Sequence, residues 1–245
     1  MNPSTTLPFD ASMTVGACVA NAPQTARILE ELQIDFCCGG HRTLAEACAE
    51  KGIKEDALIT RLVEATKEIA DDSQTGWRRA SATELCDHIE QTHHAFLRRE
   101  LPRLSDLVDK VAQAHGDRHP EAVEVRTVFG ELRAELEPHM LKEEGILFPA
   151  IRQLEQSETL PSLPFETVDN PIRMMEHEHD AAGDALKRIR QLTHDFQAPS
   201  DACPTWHVML DGLRHLETDL HQHIHKENNL LFPNAQRLEA ACQSN

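Results

Sequence analysis

Two stretches of this chain carry the same residues at the same spacing, and several of those residues are metal ligands by type. Residues 135–149 (ELEPHMLKEEGILFP) recur as 219–233 (DLHQHIHKENNLLFP), with seven identities in fifteen aligned positions. In each copy a His stands four residues before a Glu: His139 and Glu143, then His223 and Glu227. On a helix, positions i and i+4 share a face about one turn apart. Each copy therefore presents an imidazole beside a carboxylate. Two such copies facing each other would make a dinuclear metal site.

Two pairs are too few donors for two metal ions, so further histidines must come from other helices. His88, His93 and His94 lie in one upstream region, and His177 and His179 in another. Spacing leaves the choice open. His94 precedes His139 by 45 residues and His179 precedes His223 by 44, while His93 and His177 give 46 and 46. His221 and His225 point some 200° away from the His223 face and are excluded. Glu135 and Asp219 sit one turn before His139 and His223 and are candidates to orient imidazoles or relay protons. A second reactive feature is Cys37-Cys38-Gly39-Gly40. Adjacent thiols near a helix start are expected to have lowered pKa values and to react with NO, iron or a partner thiol.

The elements that must position these groups are helical. Aromatics are scarce, Tyr is absent and Gly numbers only 10 in 245 residues, a composition that favours helix over strand. Net charge is −17, which repels a phosphate backbone and an anionic membrane surface, so nucleic acid and membrane are not expected partners. The first basic residue is Arg27 and no apolar stretch reaches the length of a bilayer span, so a cytoplasmic chain with reduced thiols is expected.

Residues 1–12 read as a disordered lead, and Asn21 with Pro23 and Gln24 as the start of a helix through Leu32. Thr43 to Glu46 reads as a capping box for a short helix stopping at Gly52, followed by another from about Lys54 to Ala70. Residues 71–76 read as a linker, and Ser81 to Glu84 as a second capping box. Four long helices follow: 81–114, 120–154, 170–196 and 205–240, with Pro102, Pro138, Pro149 and Pro233 in or near them. The expected organisation is an N-terminal short-helix module at 13–70 and an antiparallel four-helix bundle at 81–242.

The His-Met-x-Lys-Glu-Glu run ending in Leu147-Phe148-Pro149, the Glu178-His179-Asp180 triplet and the Asp35-Phe36-Cys37-Cys38-Gly39-Gly40 segment resemble the di-iron iron–sulfur cluster repair family. That resemblance runs from about Val15 to Arg237. It implies an all-α protein, a hemerythrin-like bundle behind a small N-terminal module. It also implies His94 and His179 as the upstream ligands, completing the set His94, His139, Glu143, His179, His223 and Glu227. Glu178, within the triplet, joins Glu135 as a candidate supporting acid, and Cys37 and Cys38 take a thiol role.

Four imidazoles and two carboxylates suit iron or manganese better than zinc. If both glutamates bridge, each of two iron ions has two nitrogens and two oxygens. An oxo or hydroxo bridge adds a donor and leaves about one position for NO or O2. The implied function is repair of iron–sulfur proteins damaged by oxidative or nitrosative stress, through iron supply, NO-reductase-type chemistry, or both. The rival is a hemerythrin-like O2 or NO binding or sensing protein. A homodimer is the assembly considered.

Overall fold

The computed structural model describes residues 9–67, 77 and 79–244, and all the regular elements among them are helical. Residues 1–8 of the expected lead, the expected linker 71–76 and the end of the expected helix 54–70 lie outside the described residues. Two compact units emerge: Met1–Ser81 with Ile224–Pro233, and Ala82–His223 with Asn234–Asn245. The division does not follow the chain, because part of the last long helix groups with the N-terminal residues.

In the first unit, α1 (Val15–Asn21) is capped by Thr14, and a single 3-10 turn at Pro23–Thr25 leads into α2 (Ala26–Glu31). The lead reading stopped short of α1, whose apolar residues are too few to show a period. The Thr43–Glu46 capping box forms as expected and opens α3 (Leu44–Lys51), which Gly52 ends at φ +66. Helix α4 (Glu55–Lys67) follows. Val15 and Gly16 donate backbone N–H groups to Arg42 O and Gly40 O, both at 2.8 Å, which ties α1 to the Cys-Cys-Gly-Gly turn. Helix α1 also packs on the turn Glu227–Leu231.

The second unit is built from long rods. The first is α5 (Ala82–His88), a π-helical turn (Ile89–His94) and α6 (Ala95–His115). The second is α7 (Pro120–Lys142), a π-helical turn (Glu143–Leu147) and α8 (Phe148–Gln156). Helix α9 (Asp169–Leu192) is the third. The fourth rod, α10 (Pro204–Lys226), a π-helical turn (Glu227–Leu231) and α11 (Phe232–Ser244), contributes to both units. Helix α7 packs on α6 and on α9, and α5 packs on α8. Gly212 lets α10 approach α6, since a Cβ there would stand 2.6 Å from a Leu104 methyl.

Buried positions trace helical stripes: Leu97, Leu101, Leu104, Val108 and Val111 on α6, and Val125, Phe129, Leu132 and Leu136 on α7. Burying the latter pair of stripes stabilises the unit by roughly 1.5–3 kcal/mol per large side chain. The α7 stripe continues directly into His139 and Glu143. Polar groups thus occupy core positions.

The repeat extends past the motif. Glu155 on α8 accepts the Ala82 and Thr83 N–H groups at 2.7 and 2.9 Å, so a distant carboxylate serves the start of α5. Glu239 on α11, displaced by 84 residues from Glu155, accepts from Val168 N at 2.9 Å and from Thr167 Oγ1 at 2.6 Å, at the start of α9. The expected helix 170–196 ends earlier, at Leu192: His194, Asp195 and Phe196 all have positive φ. Thr193 stabilises this turn by accepting the Phe196 N–H, while Arg190 and Arg214 lie 5.0 and 5.8 Å from the Phe196 ring.

Candidate metal centre

Each of the six expected ligands lies at a core position of a helix. His94 closes the first π-turn, Glu143 opens the second, and Glu227 opens the third. In a π-turn the backbone widens by one residue per turn, which re-aims side chains at the point where the donors converge. The widening also accommodates Pro149 and Pro233, each at the second position of the following helix, where a proline inside a regular helix would lose a hydrogen bond and clash. Pro138 lies within α7, and the run through His139 stays α-helical to Lys142.

The six residues are 0–2 % exposed. Their ligand atoms form two groups, each with all atoms within 4.8 Å of one another: His94, Glu143, His223 and Glu227, and His139, Glu143, His179 and Glu227. Both glutamates belong to both groups. Glu143 Oε2 lies 3.2 Å from His94 Nε2 and 3.3 Å from His139 Nε2, while His139 Nε2 and His179 Nε2 are 3.3 Å apart. A metal held at about 2.0–2.1 Å by two imidazoles, at angles between square and tetrahedral, separates their nitrogens by roughly 3.0–3.4 Å. The observed spacing fits that bite, so this donor set suits a metal ion. Burying so many polar and ionisable groups without a cation would cost several kcal/mol.

The carboxylates behind the imidazoles fix which nitrogen faces inward. Glu144 Oε1 accepts from His94 Nδ1 at 2.6 Å and also pairs with Arg98. Glu178 Oε2 accepts from His139 Nδ1 at 2.8 Å and also pairs with Lys142. With the proton held on Nδ1, the Nε2 lone pair is free to face the centre. Partial burial would raise both carboxyls, but the hydrogen bonds from the imidazole and the cation outweigh it and hold each below the usual carboxylate range.

Where spacing left a choice, the two candidates of each pair differ in burial or position. His177 is exposed, and His179 joins the second group. His93 is buried like His94, but it belongs to neither group: its Nδ1 lies 3.0 Å from Asp219 Oδ1, and its ring stacks on His223 with centroids 5.3 Å apart. Glu135 corrects a symmetric expectation. It is exposed on α7, whereas its counterpart Asp219 reaches His93, because the two copies have different neighbours. Glu144 was missed by sequence reasoning. Its only signal was adjacency to Glu143, and the second copy has Asn228 there.

The thiols also depart from expectation. Cys37 and Cys38 lie in the expected turn ahead of α3, and the departure is in their ionisation. The adjacent Cys38 sulfur, burial and the Asp35 carboxylate all push the Cys37 thiol well above its usual value, opposite to the expected lowering.

A family model described as the hemerythrin HHE cation binding domain matches residues 85–235, and one described as a domain of unknown function (DUF542) matches residues 11–66. The chain is 35 % identical over 223 residues to a probable iron–sulfur cluster repair protein of Haemophilus influenzae, covering 91 % of this chain and 96 % of that protein. It is 34 % identical to the iron–sulfur cluster repair protein YtfE of Dickeya chrysanthemi and 35 % identical to that of Escherichia coli O81, each alignment covering at least 90 % of both chains. The chain belongs to the iron–sulfur cluster repair family. Within that family's hemerythrin-like domain, residues 85–235 contain all six buried donors, and 11–66 contain the vicinal cysteines. No helix among the described residues is long and apolar enough to cross a membrane.

Proposed function

We propose that this protein holds two iron ions at His94, His139, Glu143, His179, His223 and Glu227 and supplies iron to iron–sulfur proteins whose clusters have been damaged by oxidative or nitrosative stress. One observation carries the reading: Glu143 and Glu227 each belong to two four-donor groups, as two carboxylates spanning a pair of ions would. The family relatives named as cluster repair proteins support the choice of client.

When bound, the iron pair supplies exchangeable Fe(II) and open positions for a small gas such as NO or O2. The chain's residues account for holding and releasing that cargo. Each ion would have two imidazoles and shares in two carboxylates, with no thiolate, a set that binds Fe(II) less firmly than a closed thiolate site. Glu144 and Glu178 keep His94 and His139 in the metal-binding tautomer, and Arg98 and Lys142 keep those acids ionised. Phe148, buried, lies parallel to the His94 ring with centroids 5.8 Å apart.

The test is anaerobic transfer. Fresh protein carrying about two irons per chain should restore a cluster on an apo client, with matching loss of its own iron. NO reduction to N2O with the iron retained would instead favour gas chemistry at the same centre. Reversible O2 or NO binding without either outcome would favour a carrier or sensor. Absence of iron even after anaerobic Fe(II) loading would overturn the metal reading altogether.

A further inference from the structure

Outside the bundle donors, one more set of ligand-type side chains converges: Asp35, Cys37 and Cys38, with one donor atom from each within 4.8 Å of the others. We propose that these three residues form a separate site for a single divalent transition-metal ion, Fe(II) by the chemistry of the proposed function, in a two-sulfur, one-oxygen set open to a fourth ligand. The site itself stands whether or not the bundle holds iron. Only the identity of the physiological ion rests on that reading.

Distance is the first argument. The two sulfurs are 3.8 Å apart, too far for a disulfide. A tetrahedral ion with metal–sulfur bonds of about 2.3 Å places two thiolates roughly 3.8 Å apart. The Asp35 Oδ1 to Cys37 Sγ separation of 3.3 Å fits a carboxylate oxygen on the same ion, at an angle somewhat tighter than tetrahedral. Adjacent cysteines in an extended stretch would point to opposite sides. Here Asp35 Oδ1 accepts the N–H groups of Cys37 and Cys38 at 3.1 and 3.0 Å, and this turn brings both thiols to one side.

Electrostatics is the second. The adjacent Cys38 sulfur, burial and the Asp35 carboxylate each disfavour ionisation of Cys37. A divalent cation held by the three side chains offsets these effects by stabilising the thiolate. Binding forms two sulfur–metal bonds, breaks two S–H bonds and releases up to two protons to solvent, with no electron transferred. Affinity therefore rises with pH, and acidification releases the ion.

Rigidity is the third. The Cys37 carbonyl accepts from Asn229 Nδ2 at 3.3 Å and from Asn228 Nδ2 at 3.5 Å, and His225 Nδ1 lies 3.3 Å from the Phe36 carbonyl. Gly16 and Gly40 leave room for the Asn229 side chain: a Cβ on Gly40 would stand 2.6 Å from its Oδ1, and one on Gly16 would also collide with it. Asn228 and Asn229 directly follow Glu227 in the same π-turn. The thiol loop is thus held by the two residues that follow Glu227.

The test titrates metal-free, full-length protein with Co(II) under a non-thiol reductant. A thiolate-to-cobalt charge-transfer band should saturate at one ion per chain. The double variant Cys37→Ser/Cys38→Ser should lose the band and bind one ion fewer, and Asp35→Asn, which keeps the turn's acceptor oxygen, should weaken that ion about 10-fold or more. Glu143→Leu/Glu227→Leu should keep the band while losing the bundle ions, which separates failure of this site from failure of the di-iron reading. Absence of the band from the unmodified protein, or its survival in the double cysteine variant, would overturn the proposal. Should the double variant not fold, as judged by its helical circular dichroism, an unchanged titration of Asp35→Asn would do so.

Discussion

The two copies of the repeat keep the same His-Glu pair and use the residues around it differently. In the first, Glu144 follows Glu143 and binds His94, Leu141 is 66 % exposed, and Gly145 carries no side chain. In the second, 84 residues later, Asn228 and Asn229 bind the Cys37 carbonyl, and His225, at the Leu141 position, is 6 % exposed with its ring edge-to-face on Phe36. The positions that face inward are constrained by the donor set. Those between them are free, and one copy uses them to support an imidazole while the other uses them to hold the thiol loop. The same divergence appears one helix earlier, where Glu178 serves His139 but its counterpart 85 residues before, His93, stacks on His223.

This comparison can be broken at the ligands themselves. Glu143→Leu and Glu227→Leu should each remove most of the bound iron and its bridging absorption, with equal severity, as elemental analysis will show. Full retention in either variant would mean that the two carboxylates are not equivalent.

A second, smaller effect belongs to the second copy alone. Burial lowers the His225 imidazole to about 4, although the Phe36 carbonyl favours the charged ring and Lys226 opposes it. Below its ordinary value of about 6.5 the unfolded chain takes up a proton that the folded chain refuses until about 4. Stability from this group is therefore complete above about 6.5 and falls as pH drops through that window, by about 3 kcal/mol at most. Urea unfolding of the protein and of His225→Gln should diverge in slope between pH 7 and 4. Parallel curves would remove His225 from the account.

Next comes the support given only to the first copy. Glu144→Gln should lower iron affinity about 10- to 100-fold by loosening the His94 tautomer, measured by competition with a chelator. Asn228→Ala should leave that affinity unchanged; an equal loss in both variants would erase the distinction. The smallest effect is expected from Asn229→Gly, which gives the second copy the residue of the first. It should destabilise the N-terminal unit by about 1 kcal/mol through the lost hydrogen bond to Cys37, with iron content intact.

Much of the fold and the two His-Glu pairs could be read from the sequence, for reasons of locality. The i,i+4 pairs, the Thr43 capping box, the Pro120 helix start and the apolar periods all depend on residues within a turn or two of one another. The recurrence of the motif supplied the duplication, and the resemblance supplied His94 and His179. Helix α1 was missed because seven residues are too few to declare a period. The π-turns were missed because a widened turn depends on packing around it, though Pro149 and Pro233, each six residues after a glutamate ligand, were a faint signal.

By itself, then, the sequence determined the all-helical class and which imidazoles and carboxylates stand side by side along each helix. The tertiary structure alone set His93 against Asp219 and His223, gave Glu144 and Glu178 their imidazole partners, set Glu155 and Glu239 at remote helix starts, and left Glu135 in solvent. It also raised the Cys37 thiol that the sequence suggested would be low. Those outcomes hang on burial and, mostly, on neighbours tens of residues away in the chain, and neither spacing nor helix period encodes what another helix brings to the same point.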